Sequence, residues 1–139
     1  MQTFLPYPDY AESAACLDRQ RLGKQRVETL QLLNVLHADA GGWVNHPAAR
    51  MWRGHEGSLI HYGLAICNAW TSRGYRDTCA EKIFDKLKLF PHTSVSPPVW
   101  LGDEKFHASH RSNLLRKNAD FYGLYGWTES DSLPYVWPV

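Results

Sequence analysis

The chain has 139 residues, of which 44% are hydrophobic and 13% aromatic. That make-up belongs to one globular domain spanning 1–139; it excludes disorder and leaves little room for a second core. A formal net charge of +1 at pH 7 excludes a globally basic nucleic-acid binder, so any such footprint has to be local.

The N-terminal stretch Met1-Gln2-Thr3-Phe4-Leu5-Pro6 has neither the basic flank nor the apolar run of a leader. Nowhere does the chain approach the roughly 18 apolar residues that cross a bilayer, so no membrane partner is expected. Asp9 followed by Glu12 reads as a capping box, and a helical pattern runs from there to about Ala38. Gly23 is its weak point, costing roughly 1 kcal/mol relative to Ala. Leu22, Val27, Leu30, Leu33 and Leu36 share one side; Arg21, Lys24, Gln25, Glu28 and Gln31 share the other. Arg26 projects toward the apolar side, which marks it as paired or functional.

Gly41-Gly42 is expected to end this helix, and Asn45-His46-Pro47 to open a short helical turn through Trp52. A second long helix is expected from Glu56 to Arg73, stopped by Gly74, with Leu59, Ile60, Leu64, Cys67 and Trp70 on its buried stripe. Thr78 with Glu81 starts a shorter helix to about Leu89, and Pro91 to Pro98 reads as irregular loop. Asp103 caps a last helix to about Asn118, before an aromatic tail of Phe121, Tyr122, Tyr125, Trp127, Tyr135 and Trp137. Nothing alternates with period two and nothing repeats, so the expected fold is all-α.

The charges cluster in two windows: Arg19, Arg21, Lys24 and Arg26, then Lys105, His107, His110, Arg111, Arg116 and Lys117. Either window alone reads as a solvated helix face. Cys16, Cys67 and Cys79 form an odd set without metal-ligand spacing, which suits free thiols in a reducing cytoplasm. His107-x-x-His110 lacks a third ligand at sensible spacing, so no metal and no cofactor are expected. Lys24 and Glu28, four apart, share a helix face with Arg21 one turn earlier. An amine beside a carboxylate is what imine chemistry at a sugar carbon needs; on spacing alone the pair reads rather as an exposed salt bridge.

Four stretches add to this. They are Leu17-Asp18 with Leu22 and Arg26-Val27-Glu28; Gly42-Trp43-Val44-Asn45-His46-Pro47; Arg73-Gly74-Tyr75; and Phe121-Tyr122-Gly123-Leu124-Tyr125-Gly126. In order and spacing they resemble the pyrimidine-dimer DNA glycosylase (endonuclease V-type) family, as a divergent member. The resemblance implies a compact helical domain, monomeric, that flips a nucleotide out of double-stranded DNA carrying a lesion or modified base. It implies an N-terminal α-amine as nucleophile, a Schiff base, and strand cleavage by β-elimination; α-amines as a class keep a useful neutral fraction at physiological pH. The essential glutamate of the family falls on Glu28. Arg21, Lys24 and Arg26 would grip phosphates, and a basic position on the last helix falls at His110 or Arg111, with His107 beside them.

Three features depart from the pattern. Gln2 is bulky, so Met1 is expected to be retained, and the nucleophile is the Met1 amine or Lys24. The overall charge is low. The segment His107-Ala108-Ser109-His110-Arg111-Ser112-Asn113 is polar where a packing helix would not be. The target could therefore be another altered base or a nucleotide, and a non-catalytic nucleic-acid-binding module is the rival outside enzymes. Among the tryptophans, Trp52, beside Arg50 and Arg53, is the one expected to face DNA. Asn45, His46 and Arg50 join it on the DNA side, although His46 could equally hold its turn.

Overall fold

Helices supply every regular element of the computed structural model, which describes residues 1–139. They are α1 (Tyr10–Cys16), α2 (Arg19–Ala38), α3 (Pro47–Trp52), α4 (Glu56–Ser72), α5 (Cys79–Asp85), α6 (Glu104–Lys117) and α7 (Ala119–Tyr122). Short 3-10 turns follow α5 (Lys86–Leu89) and α7 (Gly123–Tyr125). The all-α expectation holds. All three cysteines are free and buried, and no helix is long and apolar enough to cross a membrane.

The element boundaries carry the first corrections. The expected single helix from Asp9 to Ala38 is two, broken at Leu17 and Asp18, both extended. The Asp18 amide donates to Tyr122 Oη (3.0 Å), and the Tyr122 hydroxyl returns a bond to the Asp18 carboxylate. A distant tyrosine thus pins the break. Asp9 Oδ1 accepts the Glu12 amide (2.8 Å) as expected of a cap. The end of α2 is made by Asp39, in the left-handed region at φ 50°, rather than by Gly41-Gly42; aspartate tolerates that conformation. Thr78 is the N-cap of α5 as expected, but its side chain caps nothing; the Asp77 carboxylate accepts the Cys79 and Ala80 amides instead, at 3.1 and 2.8 Å.

Helix α4 is the centre of the molecule, with α1, α2 and α5 packed around it. Leu22, Leu32, Leu33, Leu59, Ile66 and Ile83 are fully buried, each contributing about 1.5–3 kcal/mol of apolar transfer. Two glycines permit close approaches to side chains of neighbouring helices. A Cβ on Gly63 would lie 2.6 Å from Thr29 Cγ2, and one on Gly23 would lie 3.0 Å from the Trp70 ring. The weak point of α2 is therefore the seat of Trp70. The expected apolar stripe of α2 is partly wrong: Val27 is 44% exposed, whereas Gln25 and Thr29 are buried. Tertiary packing overrides the pattern: Thr29 packs against Gly63 of α4, and Gln25 meets something other than solvent.

Candidate active site

That something is the N-terminal segment. Residues 2–6 are buried yet belong to no helix, so their backbone groups must find partners among side chains. Gln25 supplies two of them: its Nε2 donates to the Gln2 carbonyl (2.8 Å) and its Oε1 accepts the Phe4 amide (3.0 Å). One amide side chain thus does what a neighbouring strand would do. The Tyr62 hydroxyl, with a single proton, lies 2.7 Å from Gln25 Oε1 and 2.8 Å from the Phe4 carbonyl. Burial pushes the Tyr62 phenol well above its ordinary range, and nearby Glu28 adds to that.

The second Gln25 amide hydrogen goes to Glu28 Oε2 (2.9 Å). The Gln2 amide lies 3.5 Å from the same oxygen, and Lys24 Nζ lies 3.7 Å from Oε1. Glu28 is therefore a held carboxylate, its side chain 14% exposed, beside a lysine that is 73% exposed. Two recesses open on either side of it, and Met1 lines both. The first, about 330 Å³, is rimmed by Arg21, Lys24 and Lys117 and walled by Tyr135 and Trp137. The second, about 430 Å³, is lined by Gln31, Asn34, Val35 and Trp43. Both volumes fall in the range of ordinary ligand sites. His46 completes the surroundings: its ring lies 5.3 Å from Trp43 and 5.8 Å from Trp137. Burial, then the positive charge of the Met1 terminus, lowers its pKa.

A family model described as pyrimidine dimer DNA glycosylase matches residues 1–82, which include the whole N-terminal segment, Gln25 and Glu28. The chain belongs to that family. No curated protein and no solved structure gives a match. Membership of the pyrimidine dimer DNA glycosylase family carries a glycosylase-type function and a DNA substrate. The matched stretch ends before α6, α7 and the aromatic tail.

Not every residue expected at the site is there. Met1, Arg21, Lys24 and Glu28 converge on the first recess. His46 stands beside them and caps α3, accepting the Ala48 amide at Nδ1 (3.0 Å), so it does hold its turn. Asn45 and Arg50 are exposed nearby but line neither recess.

Arg26 is corrected: its guanidinium pairs with Asp77 (2.6 Å) and lies 4.4 Å over the Trp70 ring. Burial pushes the Asp77 carboxyl up, but Arg26 and two helix amides outweigh it and hold its pKa below the ordinary value. An arginine so occupied has little left for a phosphate. Trp52 is fully buried, and its Nε1 donates to Thr3 Oγ1 (3.0 Å). The exposed tryptophan at this mouth is Trp43, at 51%. His107, His110 and Arg111 are buried as well, facing inward to the N-terminal segment rather than outward to DNA.

Pattern reading missed Gln25, Tyr62, Lys117, Tyr135 and Trp137. Gln25 sits in a polar run and looks like surface until its partner segment is in place. Tyr135 and Trp137 lie too far along the chain for spacing to connect them with Glu28. A signal did exist in residues 1–6, which place buried Phe4 and Leu5 where no helix can form.

Proposed function

We propose that this member of the family removes an altered pyrimidine from duplex DNA by imine chemistry, with the Met1 amine as nucleophile and Glu28 as its carboxylate partner. The observation that carries this reading is that Met1 and Glu28 wall the same recesses while Gln25 ties the Gln2 carbonyl to the Glu28 carboxylate. The amine lone pair forms a bond to C1′ of the displaced nucleotide, and the glycosidic C1′–N bond breaks with its electrons leaving on the base. Glu28 stabilises the cationic sugar as this happens. One nitrogen proton passes to the departed base and the other, through Glu28, to O4′ as the sugar ring opens, which leaves the imine. Removal of a C2′ proton then expels the 3′ phosphate by β-elimination, with Glu28 as proton carrier. Arg21, Lys24 and Lys117 face the phosphates. Trp43, Tyr135 and Trp137 offer π-faces to an extrahelical base, each stack being worth about 1–3 kcal/mol.

Lys24 is a second candidate amine because its Nζ lies 3.7 Å from Glu28 Oε1. Borohydride trapping on an abasic duplex, with the adduct mapped by peptide mass, separates the two. The expected product joins residue 1 to DNA, and an adduct on Lys24 would reassign the nucleophile. Glu28→Gln should lose base release and trapping but keep its DNA affinity. Base release by Glu28→Gln at the wild-type rate would end the proposal. A panel of duplexes with different lesions and hypermodified bases, run beside free nucleosides, sorts the substrate. Binding with no turnover on any of them would favour the non-catalytic module.

A further inference from the structure

We propose that α6 is a bracket whose residues His107, His110 and Arg111 position the Met1 amine by fixing the backbone of Leu5 and Pro6. This rests on the reading of Met1 and Glu28 given above. At spacings of three and four the three side chains share one helix face, and all are buried, both histidines completely. His110 Nδ1 accepts the Leu5 amide (2.9 Å), and His107 Nδ1 lies 2.7 Å from the Leu5 carbonyl. His107 Nε2 accepts the Gly102 amide (2.9 Å), so the proton of that ring is on Nδ1 and is donated to Leu5. Two imidazoles, one donating and one accepting, pair a single residue as an adjacent strand would. Arg111 continues the line, donating to the Pro6 carbonyl (2.7 Å) while its other nitrogens are held by Glu104 and by Glu129 (2.9 Å).

Packing alone does not call for this chemistry. The Nε2 hydrogen of His110 is buried without a partner, a cost that leucine in the same space would avoid. The rest of the polar segment serves the other end of the chain. Ser109 and Ser112 accept the Val136 and Leu133 amides (3.1 and 2.9 Å), and Asn113 donates to the Leu133 carbonyl (3.1 Å). That tail carries Tyr135 and Trp137 to the first recess, and Lys117 at the end of α6 reaches its rim. One helix beyond the family-matched stretch thus holds both chain ends around Glu28. Met1 is four residues from Leu5, and the intervening anchors at Gln2 and Phe4 both run through the single side chain of Gln25, so loss of the Leu5 pairing leaves the segment that carries the amine hinged on that one residue.

The test compares His110→Leu with His110→Asn. Asparagine places an acceptor where Nδ1 stands, and leucine has nearly its shape without one. With an abasic duplex, His110→Leu should slow borohydride-trapped adduct formation by about 10- to 100-fold, as ångström-scale misplacement does. Its affinity for that duplex should be unchanged, and His110→Asn should recover most of the rate. Wild-type rates in both variants, or equal slowing in both, overturns the bracket. If His110→Leu does not fold, His107→Leu against His107→Asn is read by the same criteria. A wild-type protein that gives no adduct removes the reading of the site, and the positioning role falls with it. A wild-type adduct with an unaffected His110→Leu removes only the bracket.

Discussion

Gln25 is where stability and chemistry are most tightly joined, and replacing it separates the two. Gln25→Leu leaves the Phe4 amide and the Gln2 carbonyl buried without their partners. At about 1–3 kcal/mol for each orphaned group, the loss is roughly 2–6 kcal/mol, a large share of the 5–15 kcal/mol that holds a domain together. Gln25→Glu keeps the shape but sets a second carboxylate where Nε2 now lies 2.9 Å from Glu28 Oε2. At an effective dielectric near 20, two full charges at that distance repel by about 6 kcal/mol. The pair must therefore bind a proton near neutrality, as closely placed carboxylates do. The expected outcome is a urea midpoint lowered in both variants. Adduct formation by Gln25→Glu should be weak at pH 6–7 and recover as pH rises and the shared proton leaves. The checks are equilibrium unfolding and borohydride trapping across pH 6–9. A Gln25→Glu protein matching wild type in both would refute the account of how Glu28 is held.

Three further outcomes follow from the same structure. Arg26→Ala strands the nearly buried Asp77 carboxylate and should cost about 3–5 kcal/mol in urea unfolding. Its DNA affinity should stay as in wild type; a weakened affinity in the folded variant would restore Arg26 to the DNA face. Lys117→Gln removes one cation from the rim of the first recess, so the slope of log Kobs against log salt should shrink by about 0.9. An unchanged slope places Lys117 off the phosphate path. Burial pushes His110 down to about 3 and lowers His107 as well, so the folded protein disfavours protons that the unfolded chain accepts near 6.5. Stability is fully present above about pH 6.5 and declines as pH falls toward 3, at up to about 1.4 kcal/mol per pH unit from His110, with His107 acting in the same direction. Urea midpoints from pH 7 to pH 4 should show this, with a shallower decline in His110→Asn; equal slopes would exclude His110 as a source.

Much of the fold is legible in local chemistry. Helix propensity, the Asp9 and Asp103 caps, the Asn45-His46-Pro47 start and the Gly74 stop act over a few residues, so the all-α architecture and most boundaries follow from the chain. Glu28 and its basic neighbours were legible for the same reason, because residues four apart on a helix must share a face. The break at Leu17–Asp18 was not, since the hydroxyl that pins it comes from Tyr122, 104 residues away.

The larger reassignment concerns the polar residues Arg26, Trp52, His107, His110 and Arg111. Residue type suggested contacts with DNA, and type alone does not reveal whether a donor faces solvent or a buried carbonyl. That depends on an extended segment, Gln2–Pro6, threading between α2, α3, α4 and α6 with no strand beside it. Its unpaired amides and carbonyls had to be met inside the protein, and Gln25, Tyr62, His107, His110 and Arg111 meet them, while Trp52 bonds the Thr3 hydroxyl. Sequence by itself determined the all-α architecture, the Asp9 and Asp103 caps and the carboxylate on α2. Tertiary structure alone decided which polar side chains were drawn inward, because hydrogen-bond satisfaction is settled between segments far apart in the chain.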